Sequence, residues 1–192
     1  MVKIRNIFLL ILLIFCSFSI KAENNLQIQV FEEPQNQPWW QRAKFLPVHS
    51  SIRGIPIHEI ENTWHVASEL DKKAIPYELL FKDGSDLMDK EQLTFSRTGD
   101  FNNDGALDLG IVGVYEDCNI QLGGFFLILT KSKSDKWYVS FLKLLHEPHF
   151  AAISKNGPVK ILFCMECDEG FDLHWDNIKK KYTLKPFNNH VR

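Results

Sequence analysis

Hydrophobic positions change their spacing near the middle of the chain, and the change predicts two kinds of local structure. Between residues 23 and 56 apolar residues are scattered and interrupted by prolines, so regular elements there should be short. Beyond residue 106, β-branched and aromatic residues form short runs bounded by turn sequences, which is typical of strands joined as hairpins. The runs are 107–115, 125–130, 137–145, 150–154, 159–164, 171–175 and 182–186. We predict a mostly β (α+β) fold, an antiparallel β-meander with a short N-terminal helical region, in one domain.

Two details of the N-terminal half can be predicted more closely. Alternation from Trp64 onward indicates a short strand, and the residues after it favour a helix over about 69–75 that Pro76 ends. Trp39 and Trp40 are adjacent, and large aromatic side chains usually serve as buried anchors. We therefore expect at least one of these two indoles in the core.

The first 22 residues have the three-part pattern of a secretory signal peptide. Lys3 and Arg5 precede the apolar run 7–15, and Ala22 offers a small residue for cleavage, so the mature domain would comprise residues 23–192. An uncleaved anchor is the alternative, but the apolar run is shorter than the roughly 20 residues that span a bilayer. Cys16 does not follow the small residue that lipidation requires. The sequence thus predicts a periplasmic or secreted protein with no stable membrane anchor after cleavage.

Charge excludes one class of partner. Cleavage would remove three of the 22 basic residues and no acidic one, leaving 19 basic against 24 acidic residues and a formal charge of −5. A nucleic-acid binder is expected to carry a basic stripe, so we predict no nucleic-acid partner.

Residues 100–108 carry the strongest chemical signal in the chain. Oxygen-bearing side chains occupy loop positions one, three, five and nine, and Gly105 occupies the sixth, where a sharp turn is needed. The backbone carbonyl at position seven would add another oxygen. The predicted calcium ligands are Asp100, Asn102, Asp104, Ala106 and Asp108.

The context of this loop separates two types of calcium site. A helix-loop-helix site requires a bidentate glutamate at position twelve, where this chain has Ile111, and the flanking residues favour strands. Residues 99–109 resemble the calcium-binding hairpin of FG-GAP or VCBS-type repeats. That resemblance implies a strand-loop-strand calcium hairpin near 93–115. The motif occurs once, and the chain is too short for a propeller of several blades. More loosely, the segments 99–115, 125–130 and 164–167 resemble small exported bacterial proteins, a likeness that implies no activity.

Three cysteines remain after the predicted cleavage, namely Cys118, Cys164 and Cys167. In an oxidising compartment we expect a disulfide, either between Cys118 and one of the other two or between Cys164 and Cys167. A structural zinc site that adds His174 to the three thiolates is the alternative. The strand-like approach to Cys164 and the acidic residues after Cys167 disfavour a disulfide oxidoreductase.

No catalytic residue is assigned from the sequence, because nucleophile-elbow, phosphate-loop and dinucleotide-binding motifs are missing from it. We expect an exported calcium-stabilised binding or interaction protein that recognises a protein or glycan of the cell envelope. The alternative is an envelope enzyme, hydrolytic or thiol-dependent, that uses Cys164 and Cys167 or a carboxylate pair such as Glu116 and Asp117.

Overall fold

Two five-stranded antiparallel sheets organise the protein. The computed structural model describes residues 26–30, 38–82, 85–145, 150–165 and 169–188. The predicted signal peptide, residues 1–22, and Cys167 lie outside these ranges.

The strands of the described chain before residue 100 have two to six residues, and those after it have eight to ten, except for β13 and β14 with three each. They are β1 Gln27–Val30, β2 Ala43–Leu46, β3 Ser51–Ile52, β4 Ile55–Pro56, β5 Trp64–Glu69, β6 Phe81–Lys82, β7 Ser85–Asp86, β8 Leu93–Thr94, β9 Ser96–Gly99, β10 Asp108–Asp117, β11 Leu122–Lys131, β12 Trp137–Leu145, β13 Ala152–Ser154, β14 Lys160–Leu162, β15 Glu169–Asp176 and β16 Lys181–Asn188. Four one-turn helices and one 3-10 turn lie between the early strands: Trp39–Arg42, Ile57–Ile60, Lys72–Ala74 (3-10), Tyr77–Leu80 and Leu87–Lys90. The prediction of a mostly β, antiparallel fold is confirmed.

The first sheet has the order β12-β11-β10-β5, and β9 pairs with the same edge of β10 as β5 does. β9 pairs with residues 108–111 of β10, and β5 pairs with residues 113–117. Between them, the Val112 amide donates to the carbonyl of Phe95, and the Val112 carbonyl accepts from the amide of Leu70. The strand β10 is therefore paired along almost all of its length on both edges.

The second sheet has the order β16-β15-β14-β13-β8. The seven predicted runs thus do not form one continuous meander: β10 to β12 belong to the first sheet and β13 to β16 to the second. The chain also crosses between the sheets within three residues, because β8 ends at Thr94 and β9 begins at Ser96. Phe95, at the crossing, is buried. This crossing holds the hairpin of β9 and β10 against the second sheet.

The central strands of the first sheet, β10 and β11, are buried on both faces, which explains why they read as continuous apolar runs rather than alternating ones. One face packs against the second sheet and the N-terminal segment. Phe150 lies at the centre of this contact, and its ring centroid is 5.9 Å from that of Trp39 and 5.8 Å from that of Phe95. On the opposite face Trp64 stacks on Tyr115 with 4.8 Å between centroids. Trp39 and Trp40 are both buried, which confirms the prediction for this pair.

The helix predicted over 69–75 is largely wrong. Strand β5 continues to Glu69, and only Lys72–Ala74 turn, as a 3-10 helix. The Asp71 carboxylate accepts a hydrogen bond from the Lys73 amide and begins this turn. Ser68, just before the predicted helix, lies buried in β5, where its hydroxyl accepts from the amide of Val48. Pairing with β10 outweighs the local helical preference here.

None of the helices in the described ranges is both long and apolar enough to cross a membrane.

Candidate metal centre in the hairpin loop

The predicted calcium loop connects β9 to β10. Gly99 and Asp108 are register partners across this hairpin, so residues 100–107 form a loop whose two ends are adjacent. On its other side Asp108 is the register partner of Thr130 in β11. The first residue of β10 is thus also the ninth position of the loop, and it lies inside the first sheet.

The polar side chains of the loop are bound to its own backbone. The two carboxylate oxygens of Asp100 accept from the amides of Asp104 and Gly105 at 3.1 and 2.9 Å. The Asn102 side-chain oxygen accepts from the Asp104 amide at 3.1 Å, and the Asp104 carboxylate accepts from the Ala106 amide at 2.8 Å. The Asn102 side-chain nitrogen donates to Asp104 at 2.8 Å. These bonds bring the side chains of loop positions one, three and five together.

The turn within the loop requires the residues found there. Gly105 has a φ of 83°, a conformation that side-chain-bearing residues rarely adopt, and Asn103 has a φ of 58°, which asparagine tolerates better than most residues. No atom lies within 4 Å of where a Cβ on Gly105 would be, so the glycine is needed for its backbone and not for space. The sequence-based reason for a glycine at position six therefore agrees with the geometry.

Asp108 differs from the other loop carboxylates because it is completely buried, whereas Asp100 and Asp104 are exposed. Its Oδ2 accepts from the amide of Phe101 at 2.9 Å and from the Tyr182 hydroxyl at 2.8 Å. Its Oδ1 accepts from the Thr130 hydroxyl at 2.5 Å, and the Ser140 hydroxyl donates in turn to that of Thr130. A buried carboxylate is costly unless several donors satisfy it, and here all three direct donors are neutral.

Tyr182 carries this network into the second sheet, since it lies in β16 and is buried. Burial raises the pKa of its phenol well above the ordinary value, and the hydrogen bond to Asp108 and the negative charges of Asp108, Asp104 and Asp100 raise it further. All three carboxylates of the loop therefore act on one phenol. That phenol remains protonated and serves as a donor at neutral pH.

The loop presents oxygen donors, which are the ligands that a hard cation prefers. Asp100, Asn102 and Asp104 present oxygens together, and the Asp108 carboxylate is linked to the loop through Phe101. Within the described ranges, no three His, Cys, Asp or Glu side chains are grouped closely enough to hold a metal on their own. An amide oxygen and a backbone carbonyl would therefore have to supply part of the coordination at the loop.

The other predicted site residues are not brought together. Cys118 is an exposed free thiol in the turn between β10 and β11. Cys164 is buried and disulfide-bonded, and its partner lies outside the described residues. The alternative in which Cys118 is bridged is therefore wrong for this structure. His174 is exposed on β15. Because a sulfur in a disulfide cannot bind zinc as a thiolate, the alternative zinc site, which needs Cys164, is wrong for this structure. A bond from Cys164 to Cys167 stays a prediction, since Cys167 lies outside the described ranges.

Sequence reasoning missed Thr130, Ser140 and Tyr182 as members of the site. Tyr182 is 74 positions away from Asp108 in the chain, and it reads as one more aromatic residue in a strand. Thr130 could have been found only by extending the hairpin register of β10 and β11 back to Asp108. No local signal marks either residue.

Comparison of the chain with protein-family models, with curated proteins and with solved structures gives no match in any of the three. The likeness of residues 99–109 to FG-GAP or VCBS hairpins stays a prediction from the sequence.

Proposed function

We propose that this is an exported binding protein whose fold is stabilised by one calcium ion in the loop 100–108. Asp100, Asn102 and Asp104, the carbonyl of Ala106 and the carboxylate of Asp108 would hold the ion. The ion would supply positive charge and a rigid connection between the loop and the sheet, with no catalytic role.

The observation that carries the proposal is the environment of Asp108. It is a fully buried carboxylate at the base of an oxygen-rich loop, its direct donors are neutral, and the described ion pairs include none to it. Three negative charges within nine residues repel one another. A divalent cation at the loop would compensate both the repulsion and the burial.

Export supports the choice of metal. Extracellular calcium modules bind with dissociation constants on the order of 10⁻⁴ to 10⁻³ M, which suits the calcium levels outside the cytoplasm. The leader-like pattern of residues 1–22 supports a periplasmic or secreted location. A protein or glycan of the envelope is the proposed partner class.

Calcium titration of the purified protein tests the metal site. Calorimetry should give one site, and a calcium concentration one hundred times the dissociation constant should stabilise the fold by about 2.7 kcal/mol. Asp104→Ala should abolish both the heat and the shift in Tm. Asp135→Ala, in the exposed turn between β11 and β12, is the matched control and should leave both unchanged.

The absence of both heat and a calcium-dependent Tm shift in the wild-type protein would reject the metal site. The location is checked separately, by sequencing the N terminus of the protein recovered from the envelope or the medium. A new N terminus near Glu23 is expected, and a chain that stays intact in the cytoplasm would contradict export.

A further inference from the structure

A pocket with a volume of about 740 Å³ lies away from the calcium loop, where the hairpin of β3 and β4 meets the end of β5. Ligand pockets generally have volumes of roughly 300 to 1,000 Å³, so this one has the size of a small-molecule site. Leu26, Ile52, Leu70 and Ala74 provide apolar surface. Charged and polar side chains also line it: His49, Ser51, Arg53, Glu69, Asp71 and Lys73.

Arg53 is held in an unfavourable backbone conformation at this pocket. Ser51 and Pro56 are register partners, as are Ile52 and Ile55, so Arg53 and Gly54 form a two-residue turn. Their φ values are 51° and 82°, and both are positive as in a type I′ turn, where asparagine and glycine are the favoured residues. An arginine in this position points to a use for its side chain.

The side chain of Arg53 makes a two-pronged ion pair with Glu69. Its Nε and Nη2 donate to the two carboxylate oxygens at 2.8 Å each. The fork satisfies both oxygens of Glu69 and orients the guanidinium, which has Nη1 left to donate. Glu69 thus orients Arg53, and the remaining N–H donors of the arginine are available to a ligand.

Donors outnumber acceptors on the remaining lining. Within the described ranges, no side-chain hydrogen bond or ion pair is found for Lys73, His49 or Ser51. Ser96 adds another hydroxyl to the lining. On the acceptor side, one oxygen of Asp71 already accepts from the amide of Lys73. A ligand that satisfies this set must present oxygens that accept.

We propose that this pocket binds a small polar molecule that carries a carboxylate or phosphate group. Arg53 and Lys73 contact the anionic group, Ser51 and His49 bind its neighbouring oxygens, and the apolar surface contacts the body of the ligand. The site rests on neither calcium nor export, so it can fail or succeed independently of the function proposed above.

Two pairs of sugars with matched rings test the proposal by NMR at 1 mM calcium. D-galacturonate and glucose 1-phosphate should shift the amide resonances of Ser51, Arg53, Lys73 and Ser96 and saturate at millimolar concentration. Galactose and glucose, which lack the anionic group, should not shift these resonances. Sodium chloride at equal ionic strength should not shift them either. Binding of only galacturonate would identify a carboxylate site, and binding of only glucose 1-phosphate would identify a phosphate site.

Two variants separate binding from folding. Arg53→Asn places the favoured residue in the turn, so the Tm should be retained or raised while the affinity falls about tenfold or more, as expected for a lost charged hydrogen bond. Lys73→Gln should weaken binding similarly, and Lys133→Gln, on a distant hairpin, should not. The site is overturned if neither anionic probe shifts these amides, if the neutral sugars shift them equally, or if both pocket variants bind as tightly as the wild type.

Discussion

At the residue scale, the burial of Asp108 is the feature that distinguishes this loop from an ordinary acidic turn. Its carboxylate joins three parts of the molecule: the loop through the Phe101 amide, β11 through Thr130 and the second sheet through Tyr182. Each donor is needed, because a buried carboxylate that loses a hydrogen bond retains its desolvation cost.

The phenol of Tyr182 provides the first test of this network. Tyr182→Phe keeps the ring, whose centroid lies 4.8 Å from that of Trp175, and removes only the donor to Asp108. We expect the free energy of unfolding in urea at pH 7 to fall by roughly 1.5 to 3 kcal/mol, as for other hydrogen bonds to charged groups. Tyr138→Phe, on a half-exposed tyrosine in β12, is the control and should change stability little.

The wild type and Tyr182→Phe should also differ in alkaline solution. Because the pKa of folded Tyr182 lies above the unfolded value of about 10, its contribution to stability is complete below that pH and declines as the pH rises above it. The stability of the wild type should therefore fall more steeply above pH 10 than that of Tyr182→Phe. Equal slopes for the two proteins would contradict the role assigned to this phenol.

At the element scale, the hairpin of β9 and β10 depends on glycine for close packing as well as for turning. A Cβ on Gly113 would lie 2.2 Å from the Phe125 ring and 2.4 Å from the Ser68 carbonyl oxygen, and that carbonyl belongs to the neighbouring strand. Gly105, in the loop, has free space around it and a positive φ. The two glycines therefore serve different physical needs.

Alanine substitutions should separate these needs. Gly113→Ala should lower the free energy of unfolding by about 3 kcal/mol. Overpacking costs roughly 1 to 3 kcal/mol, and the upper value applies because a backbone carbonyl in a paired strand can move little. Gly105→Ala should lower it by only about 1 kcal/mol through the backbone while weakening calcium binding. Urea unfolding with and without calcium measures both effects. A larger loss of stability from Gly105→Ala than from Gly113→Ala would show that the assignment is reversed.

At the scale of the whole molecule, an ion-pair network links the second sheet to the short helices before it. Asp89, in the helix Leu87–Lys90, pairs with Lys155 in the loop between β13 and β14 and with Lys72 in the 3-10 turn. Hydrogen bonds from Lys155 and Lys72 hold the pKa of Asp89 below its ordinary value. The network is exposed, so we expect a small effect that salt screens.

Asp89→Asn should lower the Tm slightly at pH 7, and the decrease in Tm should be smaller in 1 M sodium chloride. Since the folded pKa of Asp89 is depressed, its contribution is present above the unfolded pKa of about 4 and is lost as the pH falls below it. The wild type and the variant should therefore converge in acid. Asp135→Asn, which breaks a pair confined to one hairpin, is the control and should leave the Tm nearly unchanged. A difference that persists in acid would rule out the charge pairing as its cause.

The sequence by itself determined the strands and the loop because both depend on local spacing. Runs of β-branched and aromatic residues predicted the strands from β10 to β16, and the position of Gly105 predicted the sharp turn. The same local reasoning failed over residues 69–75, where pairing of β5 with β10 outweighs a helical preference.

Only the tertiary structure decided what surrounds the loop. The division of the strands between two sheets, the crossing at Phe95 and the contact of Tyr182 with Asp108 depend on residues far apart in the chain. The pocket beside Arg53 likewise joins residues 26 to 96. Local spacing carries no record of such contacts, because burial and pairing are fixed by the packing of one sheet on the other.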